Sequence, residues 1–151
     1  MRKKINFSTI EILYKEARLS IEYFLRPGQR ASLLYLHGMG CSKADFMGAL
    51  QCPELVPYAI IGFDFPGCGG SPYPEHASYT MDDLFEITHL VITALHIKKC
   101  VIIGHSMGGL VGLLYARKYP HNLAGFINVE GNLAPEDCFA SRTISQQSLN
   151  D

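Results

Sequence analysis

The segment Gly104-His105-Ser106-Met107-Gly108 places a serine between two glycines that stand two residues away on either side. A serine hydroxyl can attack a carbonyl carbon when the backbone exposes it and a base accepts its proton. The apolar run CVIIG precedes Ser106 and the helix-forming stretch LVGLLYARKY follows it, so the serine stands at a strand-to-helix turn. Side chains at Gly104 and Gly108 would collide with backbone in so sharp a turn. The spacing therefore predicts Ser106 as an exposed nucleophile at a helix N-terminus, where the helix dipole favours negative charge. The alternative, a chance G-x-S-x-G in a glycine-containing loop, is disfavoured by the flanking strand and helix.

A second glycine-containing turn, His37-Gly38-Met39-Gly40, follows the apolar run SLLYL. In acyl transfer, two backbone N–H groups stabilise the negative oxygen of the tetrahedral intermediate. We expect the N–H groups of Met39 and Met107 to be these donors, with their thioether side chains lining an apolar pocket. The residues that shape the two turns are expected to be His37, Gly38, Gly40, Gly104, His105 and Gly108. The alternative for the first turn is an ordinary glycine turn.

A third glycine-rich segment, DFPGCGGS at residues 64–71, could suggest a phosphate-binding or dinucleotide-binding loop. It matches neither template, because Pro72 stands where the third glycine of G-x-G-x-x-G belongs and the chain has no Gly-Lys-Ser/Thr. We therefore expect this segment to buttress the rim of the site, and we predict no cofactor and no metal.

Short apolar runs indicate the strands that would position these turns. Continuous runs of this kind suit parallel strands that are buried on both faces. The predicted parallel strands lie near residues 32–36, 58–64, 100–104 and 124–129. Two earlier stretches, 8–14 and 18–25, alternate loosely and break at Pro27-Gly28, which predicts an antiparallel pair of edge strands.

Helices are predicted between the parallel strands. The clearest runs from Thr80 to Ile97, with apolar residues at helical spacing and a capping box formed by Thr80 and Asp83. Another runs from Leu110 to Tyr119 and is stopped by Pro120, and a third is expected in the crossover after residue 36. This alternation predicts an α/β fold with a doubly wound, mostly parallel sheet. Its core spans about residues 18–132, while 133–151 would begin a lid or a tail.

Composition narrows the class of partner. The chain has 151 residues, 48% of them hydrophobic, and a formal net charge of −1, which gives no field for binding nucleic acid. No run reaches the roughly 18 apolar residues of a membrane span, and the N-terminus lacks a secretory signal. The five cysteines form no CxxC pair and no metal-binding spacing, which favours reduced thiols and a cytoplasmic location. We expect a small, neutral or mildly polar substrate.

Together, HGMG, DFPGCGGS and GHSMGG occur in an order and at spacings that resemble the α/β-hydrolase superfamily over residues 18–132. The resemblance implies a serine nucleophile at Ser106 and no cofactor. GHSMGG looks like the nucleophile turn of esterases, lipases and thioesterases, whereas epoxide hydrolases and haloalkane dehalogenases carry an aspartate where Ser106 stands. The resemblance further implies an esterase-like enzyme that cleaves carboxylic esters or thioesters through an acyl-serine intermediate. Two alternatives remain: acyl transfer or cofactor-free perhydrolysis in the same site, and a non-catalytic binding module that retains the sheet.

The chain departs from the superfamily pattern in the catalytic base, which is a histidine in that pattern. The family's order is Ser, then an acid, then His, but only His121 follows Ser106, in a turn expected at the opposite end of the sheet. The remaining histidines are expected to be structural or solvated: His37, His76, His89, His96 and His105. Single-domain α/β enzymes commonly need roughly 200 to 250 residues. We therefore expect an N-terminal portion of a hydrolase domain that alone is inactive or weakly active, with an unpaired edge at its sixth strand.

The triad acid has one leading candidate. Glu130 ends the run AGFINVE, where some members of the superfamily carry the acid. From there it could orient a histidine supplied from beyond residue 151. The alternative is that Glu130 caps the strand end or binds a backbone amide. Asp137 and Asp151 are weaker candidates.

Overall fold

Six strands form one mixed sheet in the computed structural model, which describes residues 7–74, 78–131 and 133–138. In chain order they are β1 (Phe7–Tyr14), β2 (Ala17–Arg26), β3 (Ser32–Leu36), β4 (Ala59–Phe63), β5 (Cys100–His105) and β6 (Leu123–Val129). Their spatial order is β1-β2-β4-β3-β5-β6. The four neighbouring strands β4, β3, β5 and β6 are mutually parallel, as predicted from their continuous apolar runs.

The first two strands form an antiparallel hairpin, as predicted. Lys15 and Glu16 connect them with positive φ angles of 46° and 67°, the conformation of tight hairpin turns whose twist matches that of the strands. The prediction that both are edge strands is wrong for β2, which also pairs with β4 from Tyr23 to Arg26. Only β1 lies at that edge. The burial of Leu19, Ile21 and Phe24 reflects the inner position of β2.

Two α-helices cross between the parallel strands: α1 (Met81–Ala94) and α2 (Met107–Lys118). The capping box of α1 is confirmed, because Thr80 Oγ1 accepts from the Asp83 N–H (3.2 Å) and Asp83 Oδ2 accepts from the Thr80 N–H (2.7 Å). Helix α2 begins at Met107, three residues earlier than predicted, so its N-terminus lies directly after the serine turn. It ends ahead of Pro120.

The crossover from β3 to β4 differs from the predicted helix. It contains two 3-10 helices, Lys43–Gln51 and Pro53–Leu55. Gly48 lowers the α-helical propensity of the first, and Pro53 lacks the N–H that would continue it. A tight 3-10 connection replaces the α-helix for this reason.

The core lies between the sheet and the two α-helices. Its buried side chains from the helices include Leu84, Ile87, Val91, Ile92, Val111 and Tyr115, packed against those of the central strands. The far side of the sheet carries the first 3-10 helix, where the rings of Tyr35 and Phe46 lie 5.0 Å apart. Within the described part of the chain, no helix is long and apolar enough to cross a membrane.

Among the described residues, no strand pairs with the outer side of β6, the second edge of the sheet. Ile127 and Val129 on this strand are 52% and 41% exposed. An edge strand presents a row of unpaired backbone N–H and C=O groups, and on β6 this row lies beside exposed apolar side chains. The open edge predicted at the sixth strand is therefore present.

Candidate functional site

Ser106 occupies the turn between β5 and α2 with a strained backbone. Its φ of 52° and ψ of −118° lie in a region that L-residues rarely adopt. The Ser106 carbonyl accepts a hydrogen bond from the Gly109 N–H (2.9 Å), which starts α2, while its side chain makes no capping hydrogen bond. The hydroxyl group therefore stands at the carboxyl end of the sheet, beside the N-terminus of a helix.

Close backbone approaches explain the glycines that flank Ser106. A Cβ atom at Gly104 would lie 2.3 Å from the carbonyl oxygen of Gly108, and a Cβ at Gly108 would lie 2.2 Å from that of Leu36. Both distances are far inside van der Waals contact. The turn can therefore adopt this conformation, and pack against the end of β3, only with glycine at these two positions.

The His37–Gly40 turn lies directly against the serine turn. A Cβ atom at Gly38 would lie 3.2 Å from Ser106 Cβ and 3.1 Å from His105 Nδ1. This contact places His105 in a packing position against the turn. Gly40 has a φ of 71°, which favours glycine, and the neighbouring Met39 is 55% exposed.

Two backbone N–H groups in the turns at Ser106 have no hydrogen-bond partner among the described residues. The N–H groups of Met39 and Met107 make no hydrogen bond to any described residue. The N–H of Ser106 itself is used, because it donates to the carbonyl oxygen of Val129 (3.0 Å). The first N–H groups of a helix have no partner within the helix, and a helix N-terminus is therefore a site where anions bind.

His37 is fully buried and its protonation state follows from its partners. Nε2 lies 3.0 Å from the Phe65 nitrogen, whose N–H can only donate, so Nε2 is the acceptor. The proton is then on Nδ1, which donates to the Gly38 carbonyl oxygen (2.8 Å). Burial lowers the pKa of His37. Both ring nitrogens are engaged, so His37 fixes the turn and has no free nitrogen for the Ser106 proton.

The other described histidines do not hydrogen-bond to Ser106. His121 lies in the 3-10 helix Pro120–Asn122, which leads into β6 at the level of the first residue of β5. Ser106 follows the last residue of β5, at the other end of the strand. The length of β5, about 17 Å at ~3.3 Å per residue, separates them. His89 stacks on Tyr119, with ring centroids 3.9 Å apart, between α1 and α2. His96 follows α1 at the end of the sheet where His121 lies, and His76 lies outside the described residues.

Glu130 follows β6 directly and lies beside the serine turn. The last pair between β5 and β6 joins His105 to Val129, so the next residues, Ser106 and Glu130, are neighbours across the strands. Glu130 is exposed and has a φ of 50°. Asp137 is engaged elsewhere, because its Oδ2 accepts from two backbone N–H groups, at residues 133 and 134. Asp151 lies outside the described residues.

The DFPGCGGS segment contains a buried ion pair that sequence reasoning missed. Asp64 is fully buried and its Oδ2 lies 2.5 Å from Lys43 Nζ, which is also 2.8 Å from Glu22 Oε2. Gly70 donates its N–H to the same Asp64 oxygen (2.7 Å). Nothing in the sequence around Lys43 distinguishes it from a surface lysine. Within the described part of the chain, no cluster of three or more potential ligands could hold a metal ion.

Comparisons with known proteins identify relatives of this fold. The family model described as "alpha/beta hydrolase fold" matches residues 31–151. A pimeloyl-[acyl-carrier protein] methyl ester esterase from Aeromonas salmonicida is 34% identical over 124 residues, which cover 82% of this chain and 44% of the relative. An sn-1-specific diacylglycerol lipase from Danio rerio is 33% identical over 114 residues, which cover 74% of this chain and 35% of the relative.

Solved structures agree with this match. A carboxylesterase structure from Nitrososphaera gargenis superposes with a TM-score of 0.77 at 22% identity, covering 94% of this chain and 59% of the other. At that identity, the similarity shows the fold. The chain spans less than half the length of the esterase and of the lipase. The matched family model and the observed sheet together show that this chain belongs to the alpha/beta hydrolase fold family.

Proposed function

We propose that this chain carries the nucleophile and the oxyanion site of a serine hydrolase that cleaves carboxylic esters or thioesters. The observation that carries the proposal is the strained backbone of Ser106 at the N-terminus of α2. Strain at a non-glycine residue persists only where the surrounding structure imposes it, and such residues cluster at active sites. The esterase and lipase relatives support the same reaction class.

The proposed reaction begins when the Ser106 oxygen attacks the carbonyl carbon of the substrate. A C–O bond forms, the carbonyl oxygen becomes an oxyanion, and the serine proton passes to a base. The free N–H groups of Met39 and Met107 would stabilise the oxyanion, and the close contact of the His37–Gly40 turn with the serine turn supports this role. Collapse of the intermediate releases the alcohol or thiol with the proton from the base. Water then hydrolyses the acyl-serine by the same steps.

We propose that the base is a histidine supplied from beyond residue 151. The support is the placement of the five described histidines, none of which hydrogen-bonds to Ser106. Glu130 is the proposed acid, since its place beside Ser106 would let it orient an incoming imidazole. Residues 18–132 would then be the N-terminal part of a longer hydrolase domain, and the open β6 edge supports this division.

The proposal is tested by assaying the purified chain with p-nitrophenyl acetate, with Ser106→Ala as background. Without a base, the serine hydroxyl is almost wholly protonated at neutral pH, so turnover should be slow. Enzymes stripped of a triad member retain about 10³- to 10⁴-fold acceleration over water from their oxyanion donors and binding alone, so a small activity that Ser106→Ala largely retains is expected. The absence of any acceleration over water in both the chain and Ser106→Ala would favour the alternative, a non-catalytic module. Robust turnover lost in Ser106→Ala would refute the external base.

A further inference from the structure

Both ends of the loop 38–42 are fixed to two consecutive residues at the end of β4. At the start of the loop, His37 Nε2 accepts a hydrogen bond from the Phe65 N–H (3.0 Å). At its end, the Lys43 N–H donates to Asp64 Oδ1 (2.7 Å), and Lys43 Nζ lies 2.5 Å from Asp64 Oδ2. Hydrogen bonds to Phe65 and Asp64, which we call the first and second anchors, therefore hold both ends of the loop.

The second anchor is a buried charge cluster with every group paired. Lys43 is 4% exposed, and its ammonium group contacts the carboxylates of Asp64 and Glu22 and lies 4.5 Å from the centre of the Phe7 ring. Low exposure weakens screening by water and salt, which strengthens each of these contacts. Removal of Lys43 would leave the fully buried Asp64 carboxylate without a counter-charge, so the cluster strongly favours one geometry.

The backbone of two glycines packs against the carboxylates of Asp64 and Glu22. A Cβ atom at Gly69 would lie 2.1 Å from Asp64 Oδ2, and one at Gly70 would lie 1.7 Å from Glu22 Oε1. Backbone therefore packs directly against both carboxylates, and the Gly70 N–H also donates to Asp64. This packing accounts for Gly69 and Gly70 of the DFPGCGGS segment without a bound phosphate.

We propose that Lys43 and Asp64 are positioning residues that hold the loop 38–42 so that the Met39 N–H stays beside Ser106. This inference rests on the proposed function, because it gives the Met39 N–H the role of an oxyanion donor. Neither residue touches a reacting atom. They act through the loop backbone, which must place the donor about 2.7–3.1 Å from the oxyanion.

The first test measures whether Lys43→Met loosens the loop. The readout is hydrogen exchange at the Cys41 N–H, which donates to the Gly38 carbonyl oxygen within the loop (3.2 Å), relative to exchange at the amides of β5. The matched control is Lys15→Met, because Lys15 also pairs with a buried carboxylate, that of Asp83, but at the β1–β2 turn.

In Lys43→Met, we expect Cys41 exchange to accelerate about tenfold or more beyond any change in β5, and no such excess in Lys15→Met. Equal acceleration of the loop and of β5 would overturn the proposal, because it would show a role in overall stability only.

The second test measures phosphonylation of Ser106 by a fluorophosphonate. We expect Lys43→Met to lower the limiting rate of labelling about tenfold or more with little change in the half-saturating probe concentration, because the loop stabilises the transition state. An unchanged limiting rate overturns the positioning role. If the unsubstituted chain is labelled no faster than Ser106→Ala, the proposed function fails, and the exchange measurement alone decides whether the pair holds the loop.

A second variant covers the case in which Lys43→Met does not fold. Asp64→Asn leaves the Lys43 ammonium paired with Glu22, removes the charge of the anchor and places an amide nitrogen where one of the two carboxylate oxygens accepts a hydrogen bond. The same two measurements apply to it, with the same supporting and contradicting results.

Discussion

The N–H of Ser106 donates a hydrogen bond to the carbonyl oxygen of Val129, 3.0 Å away, and so ties the strained turn to the end of β6. Two consequences follow. The amide of the nucleophile is occupied, which leaves the N–H groups of Met39 and Met107 as the free donors of the proposed oxyanion site. The same bond also fixes the position of Glu130, the residue after Val129, next to Ser106.

Backbone strain at Ser106 should lower the free energy of unfolding, and a substitution that relieves the strain should restore it. Ser106→Gly is expected to raise the free energy of unfolding by about 1 kcal/mol relative to Ser106→Ala, because glycine relaxes a positive φ that costs an L-residue about 1–3 kcal/mol. Urea unfolding of the two variants measures the difference. The control is Ser32→Gly in β3, where ordinary strand backbone makes glycine destabilising. A Ser106→Gly variant no more stable than Ser106→Ala would show that the turn is not strained.

The close contact between α2 and β3 predicts opposite effects for two glycine substitutions. Gly108→Ala should lower the free energy of unfolding by about 1–3 kcal/mol, because its Cβ would meet the Leu36 carbonyl oxygen. Gly48→Ala in the first 3-10 helix meets nothing within 4 Å, so it should be neutral or stabilise by up to about 1 kcal/mol. Thermal unfolding of both variants checks this, and equal effects would contradict the described packing.

Asp83 should make stability depend on acid pH. Hydrogen bonds from Lys15, Tyr14 and the Thr80 backbone hold the pKa of Asp83 well below its usual value of 3.8. The stabilisation is therefore complete above about pH 5 and is lost as the pH falls through 3.8 toward the lower pKa of the folded state. Lys15 is exposed, so most of the stabilisation comes from Tyr14 and Thr80.

Asp83→Asn should accordingly cost about 1–3 kcal/mol at neutral pH and flatten the fall in stability below pH 5. Urea midpoints at neutral pH and near pH 3 measure both effects. Asp82→Asn, at the exposed neighbouring position of the same first turn, is the control. The prediction is wrong if the two variants lose stability with acid to the same extent as the unsubstituted chain.

The tautomer of His37 is a direct check on the oxyanion loop. Nitrogen-15 NMR at neutral pH should show Nδ1 protonated and Nε2 unprotonated, because Nε2 accepts from the Phe65 N–H. Since burial lowers its pKa, His37 should remain neutral as the pH falls below 6.5, and its contribution to stability should decline from that pH downward as the unfolded chain becomes protonated. A proton on Nε2 at neutral pH would contradict the described loop.

Much of the fold follows from local pattern. Continuous apolar runs predicted the four parallel strands, because strands buried on both faces need no alternation. Thr80 and Asp83 predicted the start of α1, because a capping box is a local interaction between residues three apart. The prediction of an α-helix in the crossover from β3 to β4 was wrong, because Gly48 and Pro53 disfavour the α-helical hydrogen-bond pattern there.

Other features depend on contacts that no sequence pattern marks. The inner position of β2 arises from pairing with β4, about 40 residues further along the chain. The burial of Lys43 arises from Glu22 and Asp64, which reach it from two other segments. In the candidate site, the G-x-S-x-G spacing marks the turn around Ser106, whereas the positive φ of Glu130 and the free N–H groups of the site become visible only in three dimensions.

The central claim is that Ser106 is the nucleophile and that its base comes from beyond residue 151. Fluorophosphonate labelling of the purified chain, located by peptide mass spectrometry, tests it most directly. We predict slow labelling confined to the peptide that contains Ser106 and abolished in Ser106→Ala. Labelling at another residue, or fast labelling of Ser106 that is lost in His105→Ala or His121→Ala, would contradict the account.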